Sequence, residues 1–599
     1  MVEHYLDTVG VTGSNPVSRT ISDSQHITPT MNPSLTELED DEQFYRDTES
    51  IAFPKLNDQQ IALLEPLGTR RIVRRGELVF KAGQRNIGLT VVLRGELEVF
   101  ATRDGNEQIL ANSRPRDFVG DVGMLLGTAA IASARGAADE TEVLHVPSDR
   151  LRQALAEMPT VSGPVVQAFI MRRKRLQRDR EFAGLRIVAR EGCSAGHLLD
   201  DFLDKNHIPH RLINSDSEDG QALCNRLHLD NRDLPTIITP NGMPLRHPSL
   251  REVARVIGLL QELPAGSDEE VKCDLAIVGA GPAGLAAAVY AASEGLKTVV
   301  LESYAPGGQA GSSSLIENFF GFPTGIGGGE LTYGARLQAH RFGAKFSTPA
   351  QALSITLAKG EYRAQLQVEG YDATLQAKCV IIATGAEYRR LEAEGRENFE
   401  GLGVYYAATA LEGKLCRGST VIVAGGGNSA GQAAMFLSEG AEKVLLVIRG
   451  DGLAKSMSSY LSRRVETKPN IEILPYTHIR RMMGTRVLES VELENTRTGE
   501  VRVVQTPAVF SMIGARPCTQ WLPPEIERDE KGFIKTGHSV ANAPAWQGMD
   551  RTPGALETSW PGIFAAGDVR SGSVKRCAAA VGEGGTAVEG VHDVLRTYV

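Results

Sequence analysis

The sequence predicts a multidomain α/β protein whose C-terminal half holds two parallel-sheet, three-layer units. Three observations predict this. From Asp274 to Glu302 an apolar strand, a glycine loop, a helix and a second apolar strand follow in order. The same order returns from Ser419 to Arg449. Ahead of both lie short alternating segments punctuated by glycines, read as β-structure, and then a smaller alternation of strands and helices. At 599 residues the chain is too long for one core, so several domains are expected.

Bulk properties narrow the classes. A hydrophobic content of 42% with 23% charged residues is ordinary for a soluble globular protein. The net charge of −9 argues against nucleic acid, and no DNA partner is predicted. No apolar run is long enough to span a membrane. The N-terminus has no basic region followed by an apolar core, so no secretion signal is expected. The seven cysteines are scattered without a C-x-x-C pair, which predicts a reducing, cytoplasmic setting with free thiols and no metal site. Residues 1–48 are polar and turn acidic at Glu37–Glu42, so they are predicted to be a disordered tail. Met31 is a second candidate start.

Residues 49–182 form the first predicted domain. Gly76–Phe80 and Thr90–Phe100 alternate as strands do, with turns at Gly83, Gly95 and Gly105. Phe118–Leu126 follows, and a helical stretch ends the segment. This pattern resembles the cyclic-nucleotide-binding domain family, a β-roll with flanking helices. In that family's phosphate cassette, Gly120-Asp121 stands at the Gly-Glu position, and Ile131 stands near the position of the phosphate-binding arginine. Losing that arginine removes a charge-assisted partner for a cyclic phosphate. The resemblance therefore implies either a degenerate cyclic-nucleotide site or another small ligand on residues 50–180, or a roll that serves as a scaffold. The basic run Met171–Arg180 reads as a solvated helix joining two domains, since no helix-turn-helix follows it.

Residues 183–264 form the second. Leu185–Ala189, Arg211–Asn214 and Leu234–Ile238 read as strands, with helices from His197, around Asp219 and from Ser249. This β, α, β, α, β, β, α order resembles the thioredoxin/glutaredoxin fold, so a thioredoxin-like α/β domain is expected. Cys193 falls at that family's nucleophilic position, ahead of a helix N-terminus that would lower its pKa. Pro235 matches the family's cis-proline. The second cysteine of the family's pair is Gly196 here, which leaves a monothiol role, pairing with Cys224, or a redox-silent docking module.

The first glycine loop reads G-x-G-x-x-G, at Gly279, Gly281 and Gly284. The first glycine allows the tight turn, the second a close approach to a pyrophosphate, and the third helix–strand packing. The helix N-terminus faces phosphate, and Glu302 ends the next strand where a carboxylate accepts hydrogen bonds from a ribose. This is a Rossmann-like, dinucleotide-binding unit. Pro306–Ala310, Ile316–Phe319, Gly321–Gly325, Cys379–Ala386 and Gly562–Asp568 follow. Together, and in this order, they resemble the low-molecular-weight thioredoxin reductase family over the whole C-terminal half. The resemblance implies an FAD-binding domain over 270–388 and 512–599. It assigns the cofactor to Gly279, Gly281, Gly284, Glu302, Gln309, Asn318, Thr384, Gly385, Gly567 and Asp568. It adds Arg576, Cys577 and Ala578, where the family has Arg-Gln-Ala beside the flavin ring.

The second loop belongs to an insert over 389–511. Gly425, Gly427 and Ala430 give G-x-G-x-x-A, with Asn428 and Ser429 at the helix start. Its second strand ends in Arg449 rather than an acid. An arginine there favours a 2′-phosphate over a free 2′-hydroxyl, so the insert is predicted to bind NADPH, with Lys455 adding charge.

Between the two units the family carries a redox motif, C-A-T-C after Val-x-Tyr. This chain reads Val404-Tyr-Tyr-Ala-Ala-Thr-Ala410, so Ala407 and Ala410 replace both cysteines. Alanine accepts no electrons, and the usual route to thioredoxin is closed at that site. The expected function is an NADPH-dependent flavoprotein oxidoreductase of the thioredoxin–disulfide reductase class. It would pass electrons from NADPH through FAD to an external acceptor: ferredoxin or flavodoxin, a quinone, or oxygen. Two alternatives stand beside it. One is disulfide reduction through Cys193 or a partner thiol; the other is an NADPH or redox sensor regulated through the roll. The resemblance further implies a homodimer.

Overall fold

The computed structural model describes residues 35–103, 106–178, 184–260, 271–313, 316, 319–371, 374–399, 402–406, 408 and 416–596. The chain divides into two compact units, Met1–Glu49 and Ser50–Val599. Part of the stretch expected to be a disordered tail is instead helical, within Leu35–Ala52. Its residues are good helix formers, and local side-chain bonds such as Gln43 Nε2 to Asp47 Oδ1 at 2.7 Å support it without a large apolar face.

The larger unit begins with a β-roll. One four-stranded sheet runs Thr69–Arg74, Glu140–Val146, Leu89–Arg94, Phe118–Val119; the other runs Leu78–Phe80, Ser133–Gly136, Leu97–Arg103, Asn106–Ser113. The stretch read as continuous from Thr90 to Phe100 is two strands. Gly95 turns the chain between them with φ +87, and a Cβ there would sit 2.8 Å from the Glu140 carbonyl oxygen. Phe118 and Phe169 meet edge to face at 6.2 Å in the core. The basic run lies on the helix Pro159–Arg178, but it is not solvated throughout: Arg173 is 2% exposed. Arg172 donates to the carbonyls of Ala52 and Gly120, both at 2.7 Å.

A four-stranded mixed sheet comes next, in the order His210–Asn214, Leu185–Ala189, Thr236–Ile238, Pro244–Arg246. The first pair is parallel and the rest antiparallel. The helices Ser194–Lys205 and Leu250–Ile257 cover one face and Glu218–Leu227 the other. The Leu234–Pro235 bond is cis. This is the thioredoxin-like order the sequence predicts.

The first Rossmann-like domain is built on a seven-stranded sheet. Its path is Lys345–Ser347, Thr298–Leu301, Val271–Val278, Leu375–Ile382, Ala364–Val368, Ala352–Leu357, and Ile563–Ala565 pairs with Leu375–Ile382. The central strands are buried on both faces and read as near-continuous apolar runs for that reason. Pro282–Ser293 starts on a proline and is lined with alanine, which lets Cys577–Arg596 pack closely. At that contact, a Cβ on Gly584 would come within 2.3 Å of the Ala283 carbonyl oxygen. The second Rossmann-like domain has a five-stranded parallel sheet, Val404–Tyr405, Val509–Ser511, Thr420–Ala424, Lys443–Val447, Ile471–Leu474. The chain enters it through Ala386–Tyr388 and leaves through Ala515–Pro517, and these two segments pair antiparallel as a two-stranded link.

Candidate functional site

The first glycine loop is shaped by what surrounds it. Gly279 has φ +101, and a Cβ on it would lie 2.4 Å from the Ala383 carbonyl oxygen. A Cβ on Gly284 would lie 1.9 Å from the carbonyl oxygen of Gly279 itself. Gly281 differs: the nearest atom to its absent Cβ is the Gly308 Cα, 3.9 Å away. It caps the helix Pro282–Ser293, so the space beside it adjoins unpaired backbone N–H groups. Two glycines thus close the turn, and the third leaves a cradle at a helix N-terminus, where anionic phosphate is stabilised.

Glu302 lies 9% exposed behind that loop. Its Oε2 accepts from the Ala280 N–H at 2.8 Å and its Oε1 from the Tyr304 N–H at 3.0 Å. Burial pushes its carboxyl upward, and these hydrogen bonds oppose the push. Oε1 also accepts from the Ser303 hydroxyl at 3.3 Å, so it is Oε2 that keeps a lone pair for a ribose hydroxyl. Thr384 donates to the Cys518 carbonyl at 2.8 Å, and Gly385 turns with φ +67. Gln309 donates its amide to the Ala386 carbonyl. Gly567 would meet the Ala283 side chain at 3.0 Å, which places it over the same helix start. Beside it the half-buried Asp568 carboxyl is raised, first by burial, while Lys575 donates to the Asp568 carbonyl. Arg576 and Ala578 are exposed at the head of Cys577–Arg596. The Cys577 thiol is pushed up by burial and then by Asp568. Asn318 lies outside the described residues.

The motif Pro306–Ala310 supplies another part of the cradle. Gly307 and Gly308, with φ +126 and +54, cross in front of the loop, and the Gly307 N–H donates to the Ala280 carbonyl at 2.8 Å.

The second loop repeats the plan. A Cβ on Gly425 would lie 2.3 Å from the Met512 carbonyl oxygen, as Gly279 lies against Ala383. Gly427 caps Asn428–Leu437, where Asn428 and Ser429 are exposed and Ala430 is buried. Here the sequence reading missed a cover. Ser456 donates to the Gly426 carbonyl at 2.7 Å, and the Ser458 N–H donates to Asn428 Oδ1 at 2.8 Å. Arg449 is exposed two residues past Lys443–Val447. Lys455, on the covering segment, pairs with Asp451 at 3.0 Å in the open.

Cys193 caps Ser194–Lys205, its Sγ accepting from the Gly196 N–H at 3.4 Å. It packs on the sheet face with Ala189 and Leu199, whereas Cys224 packs on the other face with Val188 and Leu223. The two thiols are therefore not brought together. The middle and C-terminal part of that helix docks on the first Rossmann-like domain. The Tyr304 hydroxyl donates to Asp201 at 2.6 Å, and its ring meets Phe202 at 5.6 Å. At 1.5 Å of rise per residue, Cys193, eight residues before Asp201, stands about 12 Å along the helix from that contact. In the roll, Arg135 pairs with Glu98 at 3.0 Å and Glu107 at 2.6 Å, so it does not substitute for the arginine missing at Ile131. Ala407 and Ala410 lie outside the described residues.

Residues 70–158 match the cyclic nucleotide-binding domain family. The thioredoxin reductase of Treponema pallidum is 34% identical over 328 residues, which is 55% of this chain and 99% of that protein. A 34.2 kDa protein in the rubredoxin operon of Clostridium pasteurianum is 33% identical over 319 residues, 53% of this chain and 96% of its own. Among solved structures, thioredoxin reductase from Lactococcus lactis is 29% identical with a TM-score of 0.45, covering 54% of this chain and 99% of its own. The thioredoxin reductase family uses FAD and NADPH, and the two glycine cradles fit such dinucleotides. Residues 273–584 match the pyridine nucleotide-disulphide oxidoreductases, and the chain belongs to that family.

Proposed function

We propose that this flavoprotein oxidoreductase draws electrons from NADPH and delivers them to an acceptor outside the chain, not to an internal disulfide. The observation that carries this is Ala407 and Ala410 at the redox-pair positions, in a chain that keeps both glycine loops, G-x-G-x-x-G and G-x-G-x-x-A. FAD and NADPH supply hydride and electron transfer when bound. The chain's own residues bind and orient: Gly281 and the helix behind it take a pyrophosphate, Glu302 a ribose, and Arg449 a 2′-phosphate. Asp568, Arg576, Cys577 and Ala578 flank the far side of the first cradle. A carrier protein is the favoured acceptor, since one close relative is encoded in a rubredoxin operon.

The test is anaerobic reduction with NADPH, followed by reoxidation with an iron–sulfur carrier, a quinone, oxygen and oxidised thioredoxin in turn. Fast reoxidation by a carrier, quinone or oxygen, with thioredoxin inert, is expected. Fast turnover of thioredoxin disulfide would overturn the reading.

A second reading rests on Cys193, whose sulfur accepts a backbone N–H at a helix N-terminus. It requires Cys193→Ser to abolish disulfide turnover while NADPH-driven flavin reduction persists. The docking of Asp201 and Phe202 of the same helix onto Tyr304 weighs against it.

A further inference from the structure

Arg173 and Arg336 are buried where the roll meets the first Rossmann-like domain, with the half-buried Arg172 beside them, and among the described residues one carboxylate, Asp121, pairs with this group. Arg172 is satisfied by two carbonyls. Arg173, 2% exposed, pairs one nitrogen with Asp121 Oδ2 at 2.8 Å. Arg336 enters from the helix Gly328–Arg341 and is 3% exposed. Among the described residues, Arg336 Nε and Nη1, Arg173 Nε and the Tyr333 hydroxyl find no hydrogen-bond partner.

Other groups on the surrounding elements do not balance the charge. Asp117 acts on Arg172 alone. His207, stacked on Tyr333 with ring centroids 4.1 Å apart, is pushed down to about 4 by burial and then by Arg336 and Arg173. His340 is held well below its usual range by burial, Arg336 and Arg152. Both histidines are neutral at neutral pH. Arg336 itself is lowered to about 10, by burial first, with Arg173 adding repulsion. An uncompensated buried cation and unmet buried donors are both costly. Beside Arg173 a cavity of about 70 Å³ opens, walled by Thr128, Ile131 and Pro209. Of the unmet donors, that of Arg173 faces this cavity, while Arg336 and Tyr333 stand behind its wall; at roughly 10–15 Å³ per water its volume is that of a few waters.

We propose that Arg173, Arg336 and Tyr333 form a buried oxyanion site at the junction of the roll, the thioredoxin-like domain and the first Rossmann-like domain. Its ligand is a phosphate-type anion, free or carried as the phosphate of a larger molecule. Two guanidinium groups and a phenol supply donors to an oxyanion in the manner of other arginine-built phosphate sites.

The test is calorimetric titration of the full-length protein in a chloride buffer with inorganic phosphate and, separately, with a 3′,5′-cyclic nucleotide. Saturable phosphate binding is expected, weakened at least tenfold by Arg336→Leu and several-fold by Tyr333→Phe. Anion-free Arg336→Leu protein is expected to melt no lower than wild type, because an unbalanced charge has left the interior. If the cyclic nucleotide binds and Arg336→Leu weakens it equally, the phosphate of a nucleotide is the source; if only inorganic phosphate binds, a free anion is. Absence of saturable binding by either probe would overturn the proposal. So would binding that both variants leave unchanged, which would place the ligand elsewhere.

Discussion

Gly281 and Gly284 stand three residues apart and fail differently when given a methyl group. At Gly284 the added carbon meets a backbone oxygen at 1.9 Å, so Gly284→Ala must shift the loop and is expected to yield misfolded or flavin-free protein. At Gly281 the carbon enters open space, so Gly281→Ala is expected to fold normally and to bind flavin at least tenfold more weakly, about 1.4 kcal/mol. Visible flavin absorbance and circular dichroism on the two purified variants separate the outcomes. Normal flavin affinity in Gly281→Ala would remove the cradle from the argument. Arg449 makes a second residue-scale case. A charge-assisted bond to a 2′-phosphate contributes about 1.5–3 kcal/mol, less at an exposed site. Arg449→Ala should therefore raise KM for NADPH roughly tenfold, leave NADH unchanged, and leave the reduction rate at saturation intact.

Elements differ in how much of them local sequence reveals. The glycine loops, their strands and the small mixed sheet were legible because each is set by neighbours in the chain: apolar runs, turn glycines, a proline at a helix start. The helix Leu35–Ala52 was hidden by its acidic surface, since propensity there works without apolar periodicity. Arg172 and Arg173 were read as solvated because charge runs usually are. Their burial depends on Gly120, Asp121 and the helix Gly328–Arg341, all distant in sequence. Separation in the chain also hid the cover that Ser456 lays over the second loop, whereas Gly307 was legible in the motif Pro306–Ala310. His207 tests the junction these elements make. Its folded pKa of about 4 lies below the usual 6.5, so the unfolded chain binds the proton more readily. Stability from this residue is complete above about pH 6.5 and is lost as pH falls toward 4, amounting to about 2 kcal/mol at about pH 5. His207 has φ +57, a conformation asparagine tolerates. His207→Asn should therefore fold and lose this increment of acid sensitivity, read as the difference in denaturant midpoint between neutral and acidic buffer. Equal acid sensitivity in the two proteins would show that His207 is not held neutral.

At the scale of the whole molecule, the helix Gly328–Arg341 belongs to two domains at once. Leu337, 2% exposed, sits in the core of the roll although its helix packs in the first Rossmann-like domain. Arg341 donates to the Leu155 carbonyl of the roll at 2.8 Å, and Glu330 pairs with Lys174 at 3.0 Å. Nearer its start, Thr332 abuts Gly307 and Gly311, the segment that carries Gln309. The surface pair is worth little, whereas the buried leucine is worth much more. Leu337→Ala is expected to cost about 2–5 kcal/mol. That loss falls on the roll's attachment, not on the insert, which joins through the paired segments Ala386–Tyr388 and Ala515–Pro517. Wild-type protein should therefore melt with the roll and the first Rossmann-like domain in one transition. Leu337→Ala should split it, the roll melting first while NADPH-driven flavin reduction is retained at temperatures below the second transition. Scanning calorimetry read beside flavin fluorescence distinguishes this from a uniform shift. A single lowered transition in the variant would mean that the roll does not fold as a separable body, and that its contact with the flavin domain runs through far more than one helix.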